Sequence, residues 1–250
     1  RGRAASGAHV LGGGLLAQAR RSPVDEGWPT GGVTSSPYSR HKVAAERLLD
    51  DHQRSHPTTI ARLRPGIIGQ GAAGSALLRY GVPAAIPAAV LGHIPVLPLD
   101  RRLEVPMVHA DDVADAIVRV LDRQAAGAFN LAADPPVTVA HIARALGARH
   151  VQVPFRVLRG AASLSWHARL QQVDPGWVDL GYTVPLLDTS RAREELGWSP
   201  SVGGVEVLEE TLAGMRHRSA RRTPVLRPRT VPDMLARALR RGPVSERHEP

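Results

Sequence analysis

The chain contains no cysteine, only 4% aromatic residues and a single lysine. Without cysteine it can form neither a disulfide nor a thiolate metal site, and this composition suits a reducing compartment, so we expect a cytoplasmic protein. Of its 32 basic residues, 31 are arginines and the exception is Lys42. Because 43% of the 250 residues are apolar, the chain can bury a core and is expected to be globular.

Long uninterrupted apolar runs are also missing. The most apolar stretch, residues 83–99, contains four prolines, a glycine and a histidine. A membrane-spanning helix needs about 20 consecutive apolar residues, and prolines interrupt helices. We therefore expect no transmembrane span, and we interpret this stretch as part of a pocket wall or as ordinary core.

The formal charge of +9 is concentrated at the end of the chain. Residues 216–250 hold ten arginines and three acidic residues, a net charge of +7, which leaves +2 for residues 1–215. Within this basic tail, apolar residues recur at helical spacing over residues 231–239 and predict an amphipathic helix. Such a tail can bind nucleic acid, an acidic membrane surface or an acidic partner. Because few aromatic residues accompany the arginines, we favour a solvated tail whose helix docks on protein, and we expect no nucleic acid as a partner.

Strand and helix patterns alternate along the chain. After an irregular, Gly- and Pro-rich lead-in over residues 1–34, a helix is predicted from its N-cap Ser36 to about residue 56. Residues 58–71 predict a short strand with a Pro-Gly break. Residues 105–123 predict a strand that enters a helix capped by Asp111 or Asp112.

The second half of the chain continues this alternation. A strand is predicted at residues 128–132, and Thr138 is the expected N-cap of the next helix. After a less regular stretch over residues 150–182, the sequence predicts a strand, a cap at Asp188, a helix and a stop at Gly197, followed by one more helix. Strands alternating with helices indicate an α/β fold.

Lys42 follows Tyr38 by four residues on the first predicted helix. Residues four apart on a helix share a face, so the ammonium is expected near the phenol. A nearby positive charge and the positive end of the helix dipole both favour the phenolate, which makes the tyrosine a tunable general acid or base. A compact ammonium suits this task better than a forked guanidinium, which explains the exceptional lysine. A chance pairing is the alternative, and we favour the functional interpretation.

Five segments, in this order, resemble one known family. They are SPYSRHKVAAERLL, TTIARLRPGIIGQG, VPMVHADDVADAIVRVL, GAFNLAADPPVTVAHIARALG and LDTSRAREELGWSP. The family is that of the extended short-chain dehydrogenase/reductases, the NAD-dependent epimerase/dehydratases. The resemblance implies an α/β fold: the C-terminal part of a Rossmann-type parallel sheet over residues 35–147, with a smaller mixed α/β substrate-binding region over residues 148–215.

The resemblance also implies site residues. Tyr38 would be the catalytic acid-base, and Lys42 would lower its pKa and hold the nicotinamide ribose of NAD or NADP. Ser6 would be the catalytic hydroxyl that hydrogen-bonds the reacting oxygen, with a solvated terminal residue as the alternative. The backbone at Pro65 and Gly66 would approach the nicotinamide, with a turn that merely ends a strand as the alternative.

The implied activity is an epimerase/dehydratase-type oxidoreduction at a hydroxyl or carbonyl of a small, sugar-like substrate. Family members that act on nucleotide sugars often have an arginine before the strand at residue 105, where this chain has Arg101 and Arg102. A nucleotide sugar is therefore left open as the substrate. A homodimer is left open as well. No metal site is expected, because His52 and His56 have helical spacing but no evident third ligand.

One part of the family pattern is not found. The family's Gly-rich turn, which receives the cofactor pyrophosphate, lies far upstream of the catalytic tyrosine, whereas only 37 residues precede Tyr38. We therefore expect a chain that lacks the N-terminal cofactor-binding half and has little activity alone. The alternative function is a non-catalytic binding or regulatory protein that retains the fold.

Overall fold

The structure is a computed structural model that describes residues 6–10, 12–15, 22–81, 94–169, 174–221, 223 and 226. The chain divides into two compact units, each built from three separated segments. The first unit takes residues 1–68, 104–137 and 179–207, and the second takes residues 69–103, 138–178 and 208–250.

Strands and helices follow one another along the described residues, which confirms the predicted α/β class. The strands are β1 (Ser6–Val10), β2 (Pro23–Val24), β3 (Thr59–Pro65), β4 (Ile67–Gly69), β5 (Val96–Leu99), β6 (Glu104–His109), β7 (Gly127–Leu131), β8 (Ala133–Thr138), β9 (Arg149–Gln152) and β10 (Leu186–Leu187). The helices are α1 (Pro37–Ser55), α2 (Gly74–Gly81), α3 (Ala110–Arg123), α4 (Val139–Leu146), α5 (Phe155–His167), α6 (Pro175–Thr183), α7 (Ser190–Leu196) and α8 (Gly204–Arg216).

The first unit is organised around a three-stranded sheet in the order β1-β3-β7. β1 and β7 both run parallel to β3, with Val10 opposite Leu63 and Leu131 opposite Pro65. α1 lies in the connection from β1 to β3, and α3 lies in the connection from β3 to β7. Each connection is thus a helical crossover of the kind that parallel strands require.

β1 forms where the sequence predicts an irregular lead-in. Its residues, SGAHV, include glycine and alanine, which have low strand propensity, so the local sequence gives no strand signal. The strand forms because its backbone completes the hydrogen-bonding edge of β3. β2 likewise pairs in parallel with β10, which lies far away in the sequence. Long-range pairing therefore orders these parts of the lead-in.

α1 begins and ends close to the predicted positions. Pro37 is its first residue, and the Ser36 hydroxyl accepts a hydrogen bond from the Ser39 amide at 3.3 Å. The helix ends at Ser55. The predicted break at residues 65–66 is also present, because β3 ends there and β4 follows.

One face of β3 enters the apolar core. Ala61 and Leu63 have no exposed surface, and the alternation of a strand places both on the face that α3 covers. Fully burying a side chain such as leucine contributes about 1.5–3 kcal/mol. The core cluster consists of Ala61, Leu63, Val108, Val113, Ala116, Val120, Phe129, Leu131, Ala192, Leu196 and Trp198.

The other face of β3 is charged but equally buried. Arg62 and Arg64 are 8% and 7% exposed, and α1 packs against this strand. Glu46 of α1 contacts both arginines, with 2.8 Å from its Oε1 to Arg64 Nε and 3.4 Å from its Oε2 to Arg62 Nε. Asp50 adds a second carboxylate 2.7 Å from Arg62 Nη2. Charge pairs therefore hold α1 against β3.

The cap of α3 differs from the prediction. His109, rather than Asp111 or Asp112, is the N-cap, and its Nδ1 accepts a hydrogen bond from the Asp111 amide at 3.2 Å. Asp112 is buried, and its Oδ1 accepts hydrogen bonds from the amide and the hydroxyl of Ser201 at 2.9 and 2.6 Å. A buried carboxylate needs such partners, and this distant partner gives no local signal in the sequence.

Of the other two predicted caps, the one at Thr138 is confirmed, and the one at Asp188 differs by one residue. Thr138 caps α4, and its hydroxyl accepts a hydrogen bond from the amide three residues later at 3.4 Å. Thr189 occupies the N-cap position of α7, but the Asp188 carboxylate makes the capping bond, accepting from the Ser190 amide at 2.9 Å. α7 ends at Gly197, as predicted.

In the second unit, β5 pairs in parallel with β9. Residues 150–182, which the sequence predicts to be less regular, contain α5 and α6. Asp100, at the end of β5, accepts hydrogen bonds from the Arg102 guanidinium and from the Phe155 amide, both at 2.8 Å, and so connects β5 to the start of α5. The Arg102 guanidinium holds the pKa of the Asp100 carboxyl well below its usual range.

Two predicted features lie wholly or largely outside the described residues. One is the amphipathic helix over residues 231–239 of the basic tail, and the other is residues 82–93, which include most of the apolar run. In the part of the chain that the structure describes, no helix has the length and apolar character needed to cross a membrane.

Replacing Glu46 by glutamine should strongly destabilise the first unit. The amide keeps the size of the side chain but leaves Arg62 and Arg64 buried without its charge, and breaking such pairs costs about 3–5 kcal/mol. Asp51→Asn is the matched control on the same helix, because Asp51 pairs with Arg54 at the surface, where a pair contributes about 1 kcal/mol or less. Urea unfolding compares the two variants. A free energy of unfolding for Glu46→Gln equal to that of the wild type would contradict this role of Glu46.

Candidate functional site

Tyr38 and Lys42 lie in the first turns of α1 and share a face, as their spacing predicts. Lys42 Nζ is 5.5 Å from the centroid of the Tyr38 ring. Tyr38 is 37% exposed and Lys42 is partly buried. The ammonium therefore lies over the face of the phenol ring.

Glycines that follow β1 pack against this pair. We call residues 12–14, all of them glycines, the glycine segment. A Cβ on Gly13 would lie 2.6 Å from Tyr38 Cε1, and a Cβ on Gly14 would lie 3.4 Å from Lys42 Cβ. Gly13 also has a φ of +86°, which favours glycine. The segment can approach the two side chains this closely because it carries no side chains of its own.

The end of β3 meets the same segment. A Cβ on Gly12 would overlap the carbonyl oxygen of Pro65, so Pro65 lies beside the candidate site. Gly66 is engaged elsewhere, because its amide donates to the Leu131 carbonyl at 2.9 Å and a Cβ there would overlap the backbone of Pro106. Close backbone packing thus explains Gly66, and its approach to a nicotinamide stays a prediction.

Backbone carbonyls in and next to the glycine segment accept hydrogen bonds from both side chains. The Tyr38 hydroxyl donates to the Gly12 carbonyl at 3.2 Å, and Lys42 Nζ donates to the Val10 carbonyl at 3.3 Å. Val10 is the last residue of β1, so both acceptors lie at the carboxyl end of a parallel strand. Open α/β sheets bind their ligands at this edge.

Burial raises the pKa of the Tyr38 phenol. This direction is opposite to the lowering that the resemblance implies for Tyr38 beside Lys42. The ammonium lies over the ring and donates to the Val10 carbonyl, so the desolvation of the phenol dominates. In this arrangement Tyr38 holds its proton at neutral pH and can act as a proton donor.

Ser39 is a site residue that the sequence analysis missed. It has no exposed surface, and its Oγ donates to the Gly13 carbonyl at 2.6 Å and accepts from the Val33 amide at 2.8 Å. The available signal was its spacing one turn before the apolar Val43, which places it on the buried face of the helix. The cap at Ser36 already explained a serine at the helix start, which hid this signal.

Ser6 lies at the other end of β1. It is the first residue of the strand and pairs with Thr59, the first residue of β3. Val10, which accepts from Lys42, is four residues further on, and at about 3.3 Å per residue the two positions are about 13 Å apart. The strand backbone therefore does not bring Ser6 to the Tyr38–Lys42 pair, and its role in hydrogen-bonding a substrate stays a prediction.

The chain has a second glycine-rich stretch, GQGAAG, at residues 69–74. It has the Gly-x-Gly-x-x-Gly spacing of a dinucleotide-binding turn and lies between β4 and α2. Protein atoms fill its space, because the Gly71 amide donates to Glu210 Oε1 at 2.7 Å and a Cβ on Gly74 would overlap the backbone of Gly214. A carboxylate bound to this amide indicates a packing turn rather than a phosphate site.

The histidines considered as metal ligands, and an acidic side chain of α3 in the same unit, have other contacts. His52 and His56 stack on each other near the exposed end of α1, with ring centroids 4.2 Å apart. Asp115 pairs with Arg119 at 2.6 Å. Among the described residues, no three histidine or acidic side chains are grouped so as to hold a metal ion.

Replacing Gly13 by alanine should cost more stability than its backbone conformation alone explains. The left-handed conformation costs an alanine about 1–2 kcal/mol, and overlap with Tyr38 should add about 1–3 kcal/mol. Gly197→Ala is the matched control in the same unit, since it has a φ of +58° but its Cβ would meet only the ends of two arginine side chains, at 3.4 and 3.6 Å. Urea unfolding measures both losses. Equal losses would show that Gly13 does not pack on Tyr38.

Comparison with known sequences supports the resemblance. The model of the NAD dependent epimerase/dehydratase family matches residues 6–132, which include Tyr38 and Lys42. Uncharacterised proteins of Mycobacterium tuberculosis and Mycobacterium bovis are each 32% identical over 130 residues. That region covers 50% of this chain but only 14% of each mycobacterial protein.

Solved structures share the fold. The crystal structure of gox2253 superimposes with a TM-score of 0.59 at 17% identity, covering 85% of this chain and 66% of that one. A UDP-glucose 4-epimerase of Thermus thermophilus, in complex with NAD, gives a TM-score of 0.55 at 21% identity, covering 85% of this chain and 64% of the epimerase. A UDP-glucose 4-epimerase of Bifidobacterium longum, in complex with NAD+ and UDP, gives a TM-score of 0.57 at 19% identity, covering 85% of this chain and 64% of the epimerase. With a family match over half of its length, the chain belongs to the NAD dependent epimerase/dehydratase family.

Proposed function

We propose that this protein is an NAD-dependent oxidoreductase of the epimerase/dehydratase type, in which Tyr38 exchanges a proton with a hydroxyl or carbonyl group of a sugar-like substrate. The observation that carries the proposal is the pairing of Tyr38 with Lys42, with Nζ 5.5 Å from the ring centroid, at the carboxyl edge of a parallel sheet. Lys42 is the only lysine in the chain, so this pairing has no counterpart elsewhere. A titratable phenol with an ammonium beside it suits proton transfer at a carbon–oxygen group.

The two side chains would divide the chemistry. When bound, NAD supplies the acceptance and return of a hydride at the substrate carbon. Tyr38 holds and moves the proton at its phenolic oxygen, and its raised pKa keeps that oxygen protonated until a carbonyl accepts the proton. For the reverse step, the Lys42 ammonium must turn from the Val10 carbonyl toward the phenolic oxygen, where it would stabilise the phenolate.

The residues around this pair fit the nicotinamide end of such a cofactor. Lys42 carries a compact ammonium that can donate to more than one hydroxyl of a ribose. The backbone of Pro65 lies next to the glycine segment that contacts this pair, because its carbonyl packs against Gly12. We therefore assign NAD contacts to Tyr38, Lys42 and Pro65, and we infer NAD rather than NADP from the NAD-bound structures that share the fold.

We propose a nucleotide sugar as the substrate class. Support comes from the structures that share the fold, which include UDP-glucose 4-epimerases. The predicted diphosphate contacts, Arg101 and Arg102, both have exposed side chains, and Arg102 is paired with Asp100 at 2.8 Å. Their contact with a diphosphate stays a prediction.

Turnover of UDP-glucose at millimolar NAD, followed by NMR detection of the 4-epimer, tests the proposal. Tyr38→Phe should lower turnover by about 10²–10⁴-fold, because it removes the acid-base group. Lys42→Arg should lower both turnover and NAD affinity, since a guanidinium is bulkier and differently directed. Tyr182→Phe is the matched control, because it removes the same hydroxyl from a different helix, α6, and it should leave turnover unchanged. Turnover of Tyr38→Phe close to that of the wild type would refute the assigned role.

A second candidate is a non-catalytic binding or regulatory protein that retains the fold. Two observations favour it. The donors of Tyr38 and Lys42 are both engaged by backbone carbonyls, and burial holds the phenol in its neutral form. In addition, the Gly-x-Gly-x-x-Gly stretch at residues 69–74 is filled by Glu210 and Gly214.

Calorimetric titration with NAD separates the two candidates. We expect weak binding by the 250-residue chain, with a dissociation constant of about 1 mM, because the residues assigned to NAD reach only its nicotinamide end. The binding should weaken further in Lys42→Arg. Binding that does not depend on Lys42 would favour the non-catalytic candidate, and tight binding would show that the chain holds more of the cofactor site than we assign.

A further inference from the structure

We propose that Ser39 is a positioning residue of the Tyr38–Lys42 site, whose buried hydroxyl holds the glycine segment beside the two reactive side chains. The inference rests on the proposed function for the roles of Tyr38 and Lys42. The packing by which Ser39 acts is independent of those roles.

The Ser39 hydroxyl joins two separate segments of the chain to α1. It donates to the Gly13 carbonyl at 2.6 Å and accepts from the Val33 amide at 2.8 Å. Ser39 has no exposed surface, so water does not compete for these bonds. Removing the hydroxyl would leave two backbone groups without their partner, which is costly where the groups are buried. One oxygen atom thus fastens both segments to the helix.

The segment that contains Gly32 and Val33 also packs closely on Ser39. Gly32 has a φ of +69°, and a Cβ there would lie 2.6 Å from Val43 Cγ2 and 2.9 Å from Ser39 Oγ. Val43 is itself buried, one turn after Ser39. Backbone rather than mobile side chains therefore encloses the hydroxyl from that side, which restricts its movement.

Unlike Tyr38 and Lys42, Ser39 would keep its hydrogen bond when a ligand binds. Three side chains of α1 donate to carbonyls in or beside the glycine segment, namely Tyr38, Ser39 and Lys42. In the proposed reaction, Tyr38 and Lys42 exchange these carbonyls for groups of the substrate and cofactor. Ser39 is buried and keeps its bond. It is therefore the donor that holds the segment while the other two engage the ligands, and such positioning of reacting groups carries much of enzymatic rate enhancement.

A titration of the Tyr38 phenol in the full chain tests the inference. Tyrosinate absorbance is followed against pH in each variant and in the same variant carrying Tyr38→Phe, and the difference isolates Tyr38 among the three tyrosines. Ser39→Ala should release the glycine segment and admit water to the phenol. The pKa of Tyr38, which burial raises, should then return toward its ordinary value of about 10.

Val120→Ala is the matched control, because Val120 is 2% exposed in the apolar core on the opposite face of β3. It should lower stability but leave the pKa of Tyr38 raised. If Ser39→Ala does not fold, Ser39→Cys replaces it, since the thiol is a weaker donor of similar shape and should lower the pKa less but in the same direction. An unchanged pKa in the folded Ser39 variant, or an equal lowering in Val120→Ala, would overturn the inference.

Turnover separates failure of this inference from failure of the proposed function. If Tyr38→Phe keeps its turnover while Ser39→Ala still lowers the pKa of Tyr38, the catalytic role of Tyr38 fails and the positioning of the segment stands. If Tyr38→Phe loses its turnover while Ser39→Ala changes neither turnover nor the pKa, the proposed function stands and Ser39 is not a positioning residue.

Discussion

The first unit depends on one buried carboxylate. Glu46 lies between Arg62 and Arg64 and joins α1 to the central strand β3. A buried ion pair adds little net stability because desolvation offsets the attraction, but breaking it is costly. Buried as they are, Arg62 and Arg64 require a carboxylate opposite them. We infer that Glu46 sets the position of α1, and with it the position of Tyr38 and Lys42.

The candidate site depends in turn on how closely backbone can approach these side chains. The glycine segment packs on Pro65, Tyr38 and Lys42. Its carbonyls accept hydrogen bonds from side chains of α1. The same packing desolvates the phenol and raises its pKa. The raised pKa of Tyr38 thus follows from its packing, to which Gly13 contributes. Any ligand that engages Tyr38 must compete with a backbone carbonyl for its hydroxyl.

Features with local causes were predictable from the sequence. The caps of α1 and α4 come from hydroxyls three residues before the amides that they satisfy, and the stop at Gly197 comes from a left-handed backbone conformation that glycine favours. The shared face of Tyr38 and Lys42 follows from helix geometry alone. The family, too, could be recognised from motifs that are continuous in the chain.

Only the tertiary structure decided which distant segments meet. β1 forms because β3 offers it a hydrogen-bonding edge, and Asp112 is buried because Ser201, 89 residues later, satisfies its carboxylate. Nothing in the sequence next to Ser39 distinguishes it from other helical serines, because its hydrogen bond goes to the Gly13 carbonyl, 26 residues away. The direction of the Tyr38 pKa shift also depends on burial, which the tertiary structure produces. The sequence by itself determined where α1 and α4 begin, where α7 ends and that Tyr38 and Lys42 share a helix face, because those interactions span about one turn. Burial and long-range hydrogen bonds involve partners that are far apart in the sequence, and they exist only once the sheet has formed.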